Sequence, residues 1–305
     1  MRIVTYRELQ SKDELLPLFQ HFFRWPFNPK EFEKTIMADP RLKNSPVGYA
    51  AIEDNHIVGF VGVMDIATRT LKGSEETVGG IWGVVTRPAY ARRGIFKTLM
   101  QRCHEYFKEK GYKFSLLNTS KVLIAYAFYQ KLGYSDAIVY ARAYKVIKET
   151  KKRVKKSSRN VKLDWNKILK IYNQTTKDRT GFVVRDRQYG RMLETCWKRI
   201  QPENCMISDE GYVLLKDDEG SMTIQELQAL TKEEAGRLVT KVEETARKTI
   251  IDQTVLDRTL QKIYQSHGFM LLEDSYDVLM SKPLTDKEFK ETYGNEFYAT
   301  AVDFF

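Results

Sequence analysis

The stretch VTRPAYARRGIFKTLM, residues 85–100, reads as a strand that runs through a tight turn into a helix. Pro88 stops the strand. From Ile95 onward, Ile95, Leu99, Cys103 and Tyr106 fall on one face at helical spacing and are expected in the core. The turn between them, Ala91-Arg92-Arg93-Gly94, holds two cations and one glycine. The first N–H groups of a helix have no intrahelical acceptor, and the helix dipole makes that end positive. Gly94 allows close backbone approach, and two guanidinium forks suit phosphate oxygens. Pyrophosphate is the natural occupant of such a turn. A solvated basic helix start has the same composition, so the flanking chain must decide.

Upstream, RIVTY reads as a strand and KDELLPLFQHFF as an amphipathic helix with Ser11 as N-cap. RWPFN breaks the pattern, and PKEFEKTIMA resumes as a helix with Pro29 in its first turn. VGYAAIE, HIVGFVGVMDIATRT and ETVGGIWGVVT are three strands parted by the turn signals EDN and LKGS. Downstream come the strand KFSLLNTS, the helix VLIAYAFYQKLGY closed by Gly133, and AIVYARAYKVI as a last strand.

The second half echoes the first. IYQSHGF matches FYQKLGY, so Tyr264 and Gly268 each lie 135 residues after Tyr129 and Gly133. The same offset lays IQELQALTKEEAGRL under the strand, turn and helix around Gly94, which points to an internal duplication. At the turn the copies diverge, since Ala91, Arg92, Arg93 and Gly94 face Glu226, Leu227, Gln228 and Ala229. The fold class expected is α/β (α+β), two tandem mixed-sheet domains of which the second is degenerate. Glu226 is expected to repel phosphate there.

Composition sets limits on function. The chain has 305 residues, a net charge of +10 and 42% hydrophobic residues, which suits one large or two medium globular domains. No apolar run approaches the roughly 18 residues of a membrane span. MRIVTYRELQSKDE is neither signal peptide nor anchor, so a soluble, cytoplasmic protein without a membrane partner is expected. Cys103, Cys196, Cys205 and the scattered histidines have no metal-ligand spacing. The basic run KETKKRVKKSSRN, residues 148–160, reads as a solvated linker; it lacks the aromatic interleaving of a base-stacking surface, which disfavours nucleic acid.

Three strands, the arginine-rich turn, a helix, a strand through Asn118 and then FYQKLGY together resemble the GCN5-related N-acetyltransferase family over residues 1 to 146. Its signature is Arg/Gln-x-x-Gly-x-Gly/Ala; this sequence has Ala91 at the first position and Phe96 at the last. A bulky residue after an arginine-rich turn, with the duplication, is similar to the enhanced intracellular survival subfamily of tandem acetyltransferases. With only a short stretch after the second copy, the third, sterol-carrier-like domain of those relatives is not expected.

The resemblance implies acetyl-CoA as cosubstrate. Val84, Val85 and Thr86 would pair their backbone with the pantetheine arm, and Ala91, Arg92, Arg93, Gly94, Ile95, Phe96 and Lys97 would cradle the pyrophosphate. Asn118 and Ser120 would lie beside the cofactor. Tyr129 falls at the general-acid position. The family's strand glutamate is missing from GGIWGVVT, which leaves Glu75, Glu76, or the terminal carboxylate of Phe305 with Asp303 behind it, as base. Trp25, Phe27 and Trp82 are expected to border the acceptor pocket, and Phe22 to pack in the core.

The implied organisation is an acetyltransferase domain at 1–147, a linker at 148–160, a second domain without a CoA turn at 161–283, and a tail at 284–305 that docks in the first active site. The function expected is N-acetyl transfer to a primary amine, on a small molecule or a peptide, by direct attack in a ternary complex. No Cys or Ser stands where a covalent intermediate would form. The alternatives are a non-catalytic CoA-binding regulator or scaffold, which would not turn over acetyl-CoA, and a nucleic-acid-associated protein, which would bind with steep salt dependence. Homo-oligomerisation is left open.

Overall fold

The computed structural model describes residues 1–148, 162–196 and 200–304. These divide into two compact units, residues 1–137 with 278–295, and residues 138–277 with 296–304. Most of the expected linker, 149–160, lies outside the described residues.

In the first unit the strands are β1 (Arg2–Thr5), β2 (Gly48–Glu53), β3 (His56–Arg69), β4 (Glu75–Thr86), β5 (Phe114–Ser120) and β6 (Ser135–Val139). The helices are α1 (Leu15–Phe23), α2 (Pro29–Ala38), α3 (Pro40–Lys43), α4 (Ile95–Glu109) and α5 (Ile124–Lys131). β1 to β4 form an antiparallel meander, and β5 joins β4 in parallel. Strand alternation sorts the side chains onto two faces. Val61, Val63 and Ile81 face α4 and meet Ile95, Leu99, Cys103 and Tyr106, all buried as the spacing predicts. Phe60 and Trp82 point the other way, into an aromatic cluster with Phe19 of α1 and Phe32 of α2. α2 begins at Pro29 under the cap of Asn28, whose Oδ1 accepts from Glu31 N at 3.2 Å. α1 begins at Leu15 rather than beside Ser11. Pro17, which has no N–H to give, fits only a first turn, and it draws the helix start towards itself.

The stretch expected as one last strand, AIVYARAYKVI, is two. β6 ends at Val139, and β7 (Arg142–Val146) lies in the other sheet, antiparallel to both β12 and β13 of the second unit. That unit holds α6 (Trp165–Thr175), β8 (Thr180–Gly181), α7 (Arg187–Thr195), β9 (Met206–Ile207), β10 (Gly211–Asp218), β11 (Ser221–Ala229), α8 (Lys232–Thr245), β12 (Thr249–Asp252), α9 (Arg258–Ser266) and β13 (Met270–Leu272). Its sheet runs β13-β7-β12-β11-β10-β9. One face packs α8 through Leu238, Val239 and Val242, and the other packs α6 and α7 through Ile168, Tyr172 and Met192.

The chain then returns to the first unit. β14 (Asp277–Pro283) lies between β5 and β6, where Val278 and Met280 enter the α4 core, and α10 (Phe289–Tyr293) packs Phe289 and Tyr293 on Phe114. Each sheet is thus completed by a strand from the other end of the sequence. The 1–147 and 161–283 boundaries follow the chain; the sheets do not. β15 (Phe297–Tyr298) pairs in parallel with β8, in the second unit.

The duplication shows in the helix ends. Leu132, Gly133 and Tyr134 N–H groups return to the carbonyls of Tyr129, Gln130 and Tyr129 at 3.0, 2.9 and 3.1 Å. His267, Gly268 and Phe269 repeat the pattern onto Tyr264, Gln265 and Tyr264 at 3.1, 2.9 and 2.9 Å. Gly133 and Gly268 take the left-handed conformation this cap demands, with φ 88° and 75°.

Candidate active site

The site in the first unit begins with a strand that leaves its neighbour. β4 and β5 pair only at Gly79↔Ser115 and Gly80↔Leu116. Beyond that, β4 carries a bulge. Phe60 faces Val85 and Gly62 faces Trp82, so Gly83 and Val84 together oppose Val61, with Gly83 at φ 59°. The bulge turns the last residues of β4 away from β5 and opens a wedge between Val84–Thr86 on one side and Leu117–Ser120 on the other. Backbone polar groups on a parted strand edge need a partner. An extended ligand with amides can supply one.

The turn stands at the mouth of β4. Arg92 and Gly94 are both left-handed, with φ 63° and 78°. α4 makes its first helical bond from Thr98 N to Gly94 O at 3.0 Å, and no side chain caps it. The N–H groups of Ile95, Phe96 and Lys97 therefore have no helical acceptor. A Cβ built on Gly94 meets nothing within 4 Å, so the space before the helix is open. The two arginines differ. Arg93 lies over the Tyr90 ring and is ion-paired with Glu53, while Arg92 is exposed. Glu53 was missed in the sequence, because its role depends on β2 ending beside the turn.

Tyr129 comes to the same place from α5. It is 6% exposed, and its ring lies 5.9 Å from Phe96. Val84 and Phe96 pack against the cluster that contains Tyr129 and Leu117. Burial alone raises the Tyr129 phenol above its ordinary value, so it holds its proton throughout the neutral range. Asn118 and Ser120 are half-buried on the β5 side of the wedge. Immediately after Ser120 the chain exposes Val122, Leu123, Ile124 and Phe128, with Ile124 at 79%. This apolar lip was legible as VLIAYAF only as a helix face.

Other expected residues are engaged elsewhere. Phe27 is 2% exposed and packs on Phe19, Trp25 and Phe32, whereas Phe22 is 44% exposed. That reverses the expected core and wall roles. Both lie within one turn of the helix break, so sequence spacing did not separate them. Trp82 is buried, stacks on Phe19 and donates from Nε1 to Val63 O at 3.3 Å; Trp25 is half-buried beside it. Glu75 and Glu76 open β4 at the end opposite the turn, and Glu76 is held by Lys113 at 2.5 Å. Asp303 is buried in the second unit, where Arg185 Nη2 bonds both its oxygens at 2.8 Å and Tyr189 donates at 2.8 Å. Phe305 lies outside the described residues, and 297–304 are packed within the second unit.

The second unit's counterpart lacks the turn. Eight residues, 87–94, separate β4 from α4, but only Leu230 and Thr231 separate β11 from α8. Thr231 caps α8 by accepting from Glu234 N at 3.2 Å, and Glu233 and Glu234 fill its first turn. Glu226 sits inside β11, not in a turn, and is paired with Arg185 at 2.8 Å. The carboxylates at that helix end are those of Glu233 and Glu234, within its first turn.

A parted β4/β5 pair thus leads to an uncapped, glycine-entered helix. Residues 12–134 match the acetyltransferase (GNAT) family. No curated protein matches in sequence. Among solved structures, a GCN5-related N-acetyltransferase from Kribbella flavida superposes with a TM-score of 0.68 at 17% identity, over 93% of this chain and 72% of that one. One from Anabaena variabilis gives 0.65 at 14% identity, over 93% and 73%. Eis1 from Mycobacterium abscessus gives 0.56 at 18% identity, over 93% and 73%. At these identities the likeness is one of fold, and it spans both units. The family uses acetyl-CoA as cosubstrate. No helix among the described residues is long and apolar enough to cross a membrane.

Proposed function

We propose that the chain transfers an acetyl group from acetyl-CoA to a primary amine by direct attack in a ternary complex, at one working cleft in the first unit. The observation that carries this reading is the parting of β4 from β5 beyond Gly80 and Leu116, leading to the uncapped N-terminus of α4. The pyrophosphate would accept from the N–H groups of the Arg92–Lys97 turn, with Arg92 as its cation. The pantetheine amides would pair with the edge of Val84–Thr86, and Asn118 and Ser120 would border the arm.

The amine nitrogen attacks the thioester carbonyl carbon, and the carbon–sulfur bond breaks as the tetrahedral intermediate collapses. The departing sulfur would take a proton from the Tyr129 hydroxyl, which burial keeps protonated through the neutral range. The proton lost by the amine is assigned, on the family resemblance, to the carboxylate of Phe305. Trp25 and the aromatic face around Trp82 would border the acceptor.

A panel of small amines, peptide N-termini and lysine peptides, each incubated with acetyl-CoA and followed by free-thiol release, tests the reading. Acceptor-dependent thiol release supports it. CoA binding without turnover on any amine would replace it with a regulatory, non-catalytic role.

A further inference from the structure

The second unit keeps a cleft where it has lost the turn. β12 pairs with β11 only from Met222↔Ile250 to Ile224↔Asp252, while β11 continues to Ala229. From Gln225 to Ala229 no described strand lies on that side, an open edge of about 16 Å at the usual strand rise. Beside it is a cavity of about 390 Å³, walled by β11, the start of α8, the end of β12 and α9. That size falls within the range of about 300–1,000 Å³ typical of ligand sites.

The polar groups around this cavity divide by sign. Its carboxylates are satisfied from within the protein. Glu226 accepts from Arg185, Tyr212 and Thr300; Asp252 accepts from Thr254 N and Tyr264; Asp257 accepts from Thr259 N and Arg179. The donors are less engaged. The Thr231 cap takes Glu234 N, so the N–H groups of Lys232 and Glu233 have no helical acceptor, and Lys232 adds an ammonium. Arg179 gives Nη2 to Asp257 and lies over the Tyr298 ring. Leu227, Leu256, Leu260 and Ile263 supply apolar wall.

We propose that this cleft binds an extended peptide segment ending in a free carboxylate. Peptide donors and acceptors repeat at strand spacing, so such a ligand completes the open edge of β11 as an added strand. Its carboxylate meets Lys232 and Arg179, and its apolar side chains meet the leucine and isoleucine wall.

Equilibrium dialysis of the full chain against a pool of N-acetylated tetrapeptides tests this, with free-acid and C-terminal amide forms compared. Acetylation stops the peptides from serving as amine acceptors. The expected result is retention of a subset of free acids at least tenfold over their amides. Ala229→Trp, which fills the cleft, and Lys232→Glu, an exposed change that spares the core, should each reduce retention at least tenfold. Gly94→Glu, in the other unit, should not. No enrichment, equal retention of amides, or retention unchanged in a folded Lys232→Glu protein would overturn the proposal.

Discussion

Tyr264 donates its hydroxyl to Asp252 Oδ2 at 2.7 Å, whereas the 135-residue offset puts Leu117, not a carboxylate, beside Tyr129. The duplicated tyrosines have parted in role. In the second unit the phenol is tied to a structural acceptor, and in the first it is buried without that tie.

Asp252 makes this visible in pH dependence. Its burial pushes the carboxyl up to about 6, above its ordinary unfolded value of about 3.9. The folded state therefore binds the proton more tightly. The resulting stability is fully present below about pH 4 and lost as pH rises through about 6. Asp252→Asn should remove that dependence. Its stability relative to wild type should rise between pH 4 and pH 8 by on the order of 2 kcal/mol, as read from urea unfolding at each pH.

Tyr129→Phe removes the acid without changing the shape of the helix face. Turnover should fall by about 10²-fold or more, the usual contribution of a positioned proton donor. CoA affinity and melting temperature should stay close to wild type. Unchanged turnover would move the acid role elsewhere.

Arg92→Gly separates strain from charge. Arg92 stands at φ 63°, where a side chain costs about 1–2 kcal/mol. The variant should melt higher while binding CoA more weakly, because the exposed guanidinium of the turn is gone. Calorimetry of both quantities on one preparation checks it.

Much of this was legible in the sequence, for identifiable reasons. The turn at 91–94 and the core face of α4 announce themselves through local spacing, and the FYQKLGY repeat through its fixed offset. The exchange of β7 and β14 does not. Both are short strands of mixed polarity, and nothing local states which sheet will pair with them. The shortened link at Leu230–Thr231 was hidden because the offset that aligns Tyr264 with Tyr129 does not hold at the turn. Arg93's pairing with Glu53 needs the end of β2 and the turn in one place, which only the meander provides.

Extending the chain by a few residues after Phe305 tests the base. If its carboxylate takes the amine's proton, an amide in its place should cut turnover by roughly 10²- to 10⁴-fold and leave CoA binding intact. Full activity in the extended protein would remove Phe305 from the mechanism.

The most direct test titrates CoA by calorimetry into the wild type and into Gly94→Glu. The space before α4 is open, so the larger side chain fits at a modest backbone cost while its carboxylate occupies the phosphate seat. The expected result is one CoA per chain in the wild type and no measurable binding in a variant that still melts cooperatively. Two CoA per chain, or unchanged affinity in the folded variant, would contradict the assignment of the cofactor to this turn.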